Sequence, residues 1–110
     1  MPAGQPAPRS TQAIMLHIKI LSLRSQERYV VRRLVMAAQA RLQAQIPHLA
    51  LDITEIGDPT EIGRYAQTLV TPSLVVNEKT VCSGRLPTGE EVVAWLRSAA
   101  EAGGERLPNS

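Results

Sequence analysis

Aromatic residues, cysteines and long hydrophobic runs are all scarce in this chain. There is no Phe, and aromatic residues make up 3% of the sequence, so we expect an aliphatic core and no platform for stacking nucleic-acid bases. The single cysteine, Cys82, excludes an intrachain disulfide. No run of roughly 18 apolar residues is present, so no membrane span is expected. Residues 1–12 also lack the apolar core of a signal peptide. We therefore expect a cytoplasmic protein.

Charge is distributed unevenly between the two halves of the chain. Residues 1–50 carry seven basic groups and one acid, a net charge of +6, whereas residues 51–110 carry five basic groups and nine acids, a net charge of −4. This distribution could steer an anionic partner to one face of the protein. The simpler explanation, which we favour, is a solvated, arginine-rich helix. Nucleic acid is disfavoured as a partner, because interleaved aromatic residues are missing and the second half is acidic.

The first half of the chain has the pattern of a strand, a helix and a second strand. Apolar and polar residues alternate over residues 14–20, which predicts a strand, and they alternate again over residues 49–53. Between them we expect a long helix over residues 26–46, with Ser25 as its N-cap and Pro47 as its end. Two strands joined by a helix in this way should lie parallel in one sheet.

Residues 69–84, with the sequence LVTPSLVVNEKTVCSG, predict a β-hairpin. Pro72 has no backbone N–H to donate, so it should lie at the start of the first strand. The continuous apolar run at residues 74–76 is typical of a strand that is covered on both faces. Asn77-Glu78 should form the turn, because Asn77 tolerates left-handed dihedral angles. Residues 80–82 should then form the returning strand.

Capping signals predict two further helices, one on each side of the hairpin. Asp58-Pro59 begins a short helix that we expect to end at residue 66 or 67. Thr88 and Glu91 have the spacing of a capping box, and the glycines at residues 103–104 should end the helix that follows. The element order is therefore βαβ, then α, then ββα. It predicts an α/β domain over residues 13–102, with a four-stranded mixed sheet, helices on both faces, and flexible tails at residues 1–12 and 103–110.

Two segments resemble the thioredoxin-like proteins, most closely the small, glutaredoxin-sized redox-active disulfide proteins. These segments are IKIL at residues 18–21 and VTPSLVVN at residues 70–77, and Ser83-Gly84 resembles the end of the second motif. The similarity covers roughly residues 14–100. It implies a thioredoxin fold in which the Thr71–Pro72 peptide bond is cis and faces the start of the first helix. The resemblance also implies that the backbone of the residue before that proline pairs with an extended peptide or glutathione.

The chain departs from this family at the Cys-x-x-Cys motif, which Ser-Gln-Glu-Arg replaces at residues 25–28. Dithiol exchange needs an attacking thiolate and a resolving thiol, and neither Ser25 nor Arg28 supplies one. We therefore expect no catalytic residue, with Ser25 as a helix cap and Cys82 as a small buried apolar side chain. The alternative is a thiol–disulfide or glutathione-dependent oxidoreductase that uses Cys82 or Ser25. It would need an exposed cysteine with a lowered pKa, or a base beside the serine.

The groups left at the former active site predict a binding site. Free amides at a helix N-terminus attract anions, and arginine donates two hydrogen bonds to a carboxylate or phosphate. The candidate residues are Arg24, Ser25, Arg28, Thr71 and Pro72. The expected ligand is a protein partner or an anionic small molecule; a surface that holds only counter-ions is the simpler alternative. We expect no cofactor and no metal, and a homodimer through an exposed edge strand stays open.

Overall fold

The computed structural model describes residues 14–65 and 70–103, together with the backbone of residues 105–106. Within these ranges the chain forms three helices and five strands. In chain order they are β1 (Ile14–Leu21), α1 (Ser25–Leu42), β2 (Leu49–Ile56), α2 (Pro59–Gly63), β3 (Ser73–Val76), β4 (Lys79–Ser83), α3 (Gly89–Glu101) and β5 (Glu105–Arg106). The predicted order of βαβ, α and ββα is confirmed. None of the described helices is long and apolar enough to cross a membrane.

Strand β1 lies in the middle of a mixed sheet with the order β2-β1-β3-β4. It pairs in parallel with β2, from Ile14 opposite Leu49 to Leu21 opposite Ile56, and α1 supplies the crossover that parallel strands require. On its other side β1 is antiparallel to β3, and β4 is antiparallel to β3. The four-stranded mixed sheet predicted from the sequence is confirmed.

Strand β5 is a two-residue addition to this sheet. Its residues pair antiparallel with Ile14 and Met15, at the end of β1 that β3 does not reach. It falls within residues 103–110, for which the sequence predicts a tail. Residues 1–12, which form the other predicted tail, lie outside the described residues.

The β3–β4 hairpin turns at Asn77 and Glu78, as predicted. Both residues have a positive φ, 50° and 68°, which is the conformation that a tight two-residue hairpin loop requires. Asn77 also ties the turn to β1. Its backbone N–H donates to the His17 carbonyl at 2.8 Å, and its side-chain oxygen accepts from the His17 amide at 2.8 Å. All four residues of β3 are buried, in agreement with the continuous apolar run in the sequence.

The helices cover both faces of the sheet and divide its apolar residues into two clusters. One face packs against α1 and α3, which also contact each other. Its fully buried side chains include Leu16, Ile18, Ile20, Val31, Val35, Leu42, Leu74, Val92 and Leu96. The other face packs against α2 in a smaller cluster of Leu21, Ile56, Ile62 and Val75, with Tyr65 at its edge. Alternate residues of β1 therefore serve different layers, as strand geometry dictates.

Two helix ends differ from the sequence prediction. Helix α1 ends at Leu42 rather than at residue 46, and the amides of Gln45 and Ile46 both turn back to the Leu42 carbonyl. Pro47 disfavours helical dihedrals at the residue before it, so the chain leaves the helix before it reaches the proline. Helix α2 ends at Gly63, and Arg64 and Tyr65 form a turn, so the predicted helix is too long; residues 66–67 lie outside the described residues. The predicted caps at Asp58 and Thr88 are both confirmed.

Candidate functional site

The junction between β1 and α1 is closed by Ser22, not by Ser25. Arg24 occupies the N-cap with extended dihedrals, and no side chain caps the helix there. The predicted N-cap at Ser25 is therefore wrong, because Ser25 is already the first helical residue and is exposed. The buried hydroxyl of Ser22 instead accepts from the Arg24 amide at 3.1 Å and donates to the Glu27 carboxylate at 2.5 Å.

A second loop, residues 70–72, lies beside this junction and is held by the end of the hairpin. Its Thr71–Pro72 peptide bond is cis. The Val70 carbonyl accepts from the Ser73 hydroxyl at 2.7 Å, from the Ser83 hydroxyl at 2.9 Å and from the Gly84 amide at 2.8 Å. Gly84 has φ of +84°, a conformation that glycine adopts without strain. The position of this loop is therefore fixed by backbone and hydroxyl groups of β3 and β4.

The two loops and the segment after β4 enclose a cavity of about 460 Å³. Each of its three walls is a short loop at the same end of the sheet. The lining residues are Ser22, Leu23, Arg24, Glu27, Thr71, Pro72, Gly84, Arg85 and Leu86. The volume is within the range of pockets that bind small molecules or part of a peptide.

The structure brings together three of the five residues that the sequence suggests for a site. Arg24, Thr71 and Pro72 all line the cavity. Ser25 does not line it, and neither does Arg28.

The Arg28 guanidinium is instead bound to the junction and to β2. Its Nη1 donates to the Ser22 carbonyl at 2.7 Å, and its Nε lies 3.5 Å from a carboxylate oxygen of Glu55. The position of Glu55 follows from the parallel register, which sets it opposite Ile20. No local signal around Arg28 reveals this partner.

Sequence reasoning missed the cavity wall formed by Gly84, Arg85 and Leu86. A signal for it was present, because the predicted hairpin returns the chain to the loop from which it started. Two antiparallel strands with a tight turn bring Ser83 beside Ser73, and this pairing is observed. The residues after Ser83 therefore had to lie near Pro72, whatever their own chemistry.

Arg85 and Glu91 form a two-pronged ion pair at the third wall. Arg85 Nη1 and Nη2 donate to the two carboxylate oxygens at 2.8 and 2.9 Å. This contact, with the Thr88 amide as the second contributor, lowers the pKa of Glu91 to about 2. The same bond raises the pKa of Arg85 above its ordinary value. Arg24, by contrast, has no carboxylate partner among the described residues.

Cys82 lies in the core and is absent from the cavity wall. Its side chain is 5% exposed and packs in the cluster between the sheet and helices α1 and α3. Its Sγ donates a weak hydrogen bond to the Arg85 carbonyl at 3.4 Å. Burial raises the pKa of the thiol, so little thiolate is present near neutral pH. Within the described residues, no group of three or more His, Cys, Asp and Glu side chains is placed to hold a metal ion.

Exposed apolar side chains surround the mouth of the cavity. Leu23 and Leu86 line it and are 57% and 43% exposed, and Val70, next to Thr71, is 58% exposed. The three residues come from three different loops, so their proximity results from the fold.

A family model described as a thioredoxin domain matches residues 16–97. The match extends from β1 to α3 and includes every residue of the cavity wall. No curated protein and no solved structure matches the chain significantly. The matched span is most of the chain, and the mixed sheet with helices on both faces agrees with it. The chain belongs to the thioredoxin-domain family.

Proposed function

We propose that the chain is a thioredoxin-like binding module without dithiol chemistry, and that its cavity binds an extended peptide segment that carries a carboxylate. The observation that carries the proposal is the cavity itself. Arg24 and Thr71 both line this one space of about 460 Å³. A peptide offers partners to both groups: its backbone to Thr71 and its carboxylate to Arg24.

The backbone of Thr71 is suited to pair with an extended chain. Thr71 comes two residues before the start of β3, and no described residue makes a hydrogen bond with its N–H or C=O group. The loop that carries it is fixed through the Val70 carbonyl, so these groups keep their orientation. Addition of an extended segment to unpaired backbone groups is a common mode of peptide recognition.

Arg24 and Glu27 determine the charge that the cavity accepts. The Glu27 carboxylate already accepts a hydrogen bond from the Ser22 hydroxyl, which satisfies part of its hydrogen-bonding capacity. The Arg24 guanidinium has no carboxylate partner among the described residues, and a ligand carboxylate would give it a charge-assisted, two-pronged contact. The exposed rim of Leu23, Val70 and Leu86 adds apolar contact area beside this polar centre.

Two observations support binding over thiol or serine chemistry. Cys82 is buried, and burial raises the pKa of its thiol, whereas a reactive cysteine is partly exposed and has a lowered pKa. Ser25 is exposed on the first turn of α1, and no described base lies within hydrogen-bond distance of its hydroxyl. Neither residue lines the cavity.

Calorimetric titration with S-methylglutathione tests the proposal. This probe is an extended tripeptide with two carboxylates and no free thiol, so it can bind but cannot exchange disulfides. We expect binding to the unmodified chain and at least about tenfold weaker binding to Arg24→Glu, because the substitution replaces an attractive charge with a repulsive one. Arg97→Glu is the matched control, since Arg97 is exposed on α3 and is not part of the cavity wall. Equal binding by the two variants would contradict the proposal.

A further inference from the structure

The solvent-facing side of α1 carries apolar residues that nothing among the described residues covers. Tyr29, Val30 and Met36 are 57%, 41% and 48% exposed. Residues three, four and seven apart share one side of a helix. Tyr29 and Met36 are seven apart, and Ala40 follows Met36 by four. Val30 is seven residues before Ala37 and lies at the edge of the same broad face. A helix on the surface of a globular protein normally presents polar residues on that side. We call this surface, residues 29, 30, 33, 36, 37 and 40, the outer face of α1.

Arg33 lies in the middle of the outer face and has no carboxylate partner among the described residues. Its Nη1 donates to the Tyr29 hydroxyl at 3.2 Å, and its guanidinium lies 5.8 Å from the centre of the Tyr29 ring. These contacts hold the side chain along the face and leave its charge available. Tyrosine, arginine and methionine are the residues enriched at protein–protein interfaces.

The other arginines of α1 surround this face with positive charge and meet acids only at its borders. Arg28 and Arg32 both contact Glu55 of β2. Arg41 lies 4.0 Å from Glu90, at the limit of an ion pair. The helix carries four arginines and a single acid, Glu27, which is bonded to Ser22 and lines the cavity. The outer face therefore has apolar side chains on both sides of Arg33 and is basic overall.

The charge of the outer face selects among its potential occupants. A second copy of the chain, related by a two-fold axis, would place the same basic surface against itself, because such an interface is self-complementary. Residues 1–13 contain no acidic residue, and Met1 is the only large apolar residue among them. Neither occupant supplies the carboxylate that Arg33 lacks. A partner with apolar side chains flanked by acids supplies both kinds of contact.

We propose that the outer face of α1 binds an acidic amphipathic helix of another protein. Ala37 and Ala40 are small enough to allow a second helix to approach closely, while Tyr29 and Met36 supply the apolar anchors. A partner carboxylate pairs with Arg33 in the centre of the contact. This surface is separate from the cavity, so the inference does not depend on the proposed function.

Fluorescence polarisation with two designed peptides tests this inference. Each peptide has about five helical turns with leucine on one face; the flanking positions are glutamate in the first and lysine in the second. We expect the glutamate peptide to bind and the lysine peptide not to bind. Arg33→Glu and Met36→Glu should each weaken binding at least about tenfold, since each places a negative charge in the contact. Arg97→Glu, which lies outside the outer face, should bind as the unmodified chain does.

Circular dichroism confirms that each variant is folded before it is scored. Equal binding of the two peptides would overturn the inference, as would equal losses for Arg33→Glu and Arg97→Glu. A chain that elutes as a dimer and becomes a monomer on Met36→Glu substitution would also overturn it, because the occupant would then be a second copy.

Discussion

The buried hydroxyl of Ser22 donates a hydrogen bond of 2.5 Å to the carboxylate of Glu27, across the junction from β1 to α1. The same hydroxyl accepts a hydrogen bond from the backbone amide of Arg24. One side chain thus satisfies a free amide at the start of α1 and orients an acid in the cavity wall. Ser22 directly follows β1 and lies two residues before the N-cap position of α1.

Replacement of Ser22 by alanine should destabilise the protein by about 1–3 kcal/mol, because the Arg24 amide and the Glu27 carboxylate would both lose a buried partner. Ser25→Ala should lower the free energy of unfolding by less than about 0.5 kcal/mol, since the Ser25 hydroxyl is exposed and does not cap the helix. Urea denaturation of the two variants measures the difference. Equal costs would show that the junction is not closed in the way described.

Arg24 and Arg28 should have opposite roles, although they lie one helical turn apart. Arg28→Ala should lower the free energy of unfolding by about 1–3 kcal/mol, because the Ser22 carbonyl loses its side-chain donor and the Glu55 carboxylate loses one of its two arginine partners. It should leave the affinity for S-methylglutathione nearly unchanged, since Arg28 does not line the cavity. Arg24→Ala should weaken binding with little effect on stability. A binding loss on Arg28→Ala, measured in folded protein, would place that side chain in the site.

Cys82 should react slowly with a thiol reagent such as DTNB in the folded protein and rapidly in denaturant. The side chain is 5% exposed, and burial raises the pKa of its thiol, so both access and the fraction of thiolate are low. The time course of absorbance near neutral pH measures the rate. Modification of the folded protein at the rate of a free cysteine would revive the thiol-dependent alternative.

The ion pair between Arg85 and Glu91 should make stability depend on acid pH. The pKa of Glu91 falls from its ordinary value of 4.5 to about 2 in the folded protein. Its stabilising contribution is therefore present above about pH 4.5 and is lost as the pH falls towards 2. Glu91→Gln should be less stable than the unmodified chain near pH 7, and the two should converge near pH 2.

Glu90→Gln is the control for Glu91→Gln. Glu90 lies in the same first turn of α3 but is 4.0 Å from its partner and largely exposed. Denaturation curves at several pH values compare the two substitutions. A pH dependence of the same size for both would show that the helix terminus, rather than Arg85, stabilises the Glu91 carboxylate.

The features that the sequence predicted correctly depend on local chemistry. Asn77 tolerates the positive φ of the hairpin turn, and Asp58 and Thr88 cap helices that begin one residue later. The parallel pairing of β1 with β2 follows from the helix between them. The turn and the caps need only a few neighbouring residues, so a short sequence window contains the information, whereas the parallel pairing needs the whole strand–helix–strand pattern.

The features that the sequence did not predict depend on contacts between distant residues. Arg28 is turned towards Glu55, which lies 27 positions further along the chain on β2. Leu86 reaches the cavity only because the hairpin returns to the loop at Thr71. The sequence favours Ser25 over Ser22 as the cap, because a hydroxyl at the end of a buried strand gives no periodic signal.

The measurement that tests the central claim most directly is an NMR titration of the isotope-labelled chain with S-methylglutathione, followed through its backbone amide resonances. Binding at the cavity predicts that the largest shifts occur at Leu23, Arg24, Thr71, Gly84 and Leu86, with little change on the outer face of α1. The Thr71 amide is the most informative resonance, because a peptide that pairs with it accepts a hydrogen bond from this N–H. Shifts confined to residues outside the cavity wall, or no shifts at saturating probe, would contradict the proposed binding site.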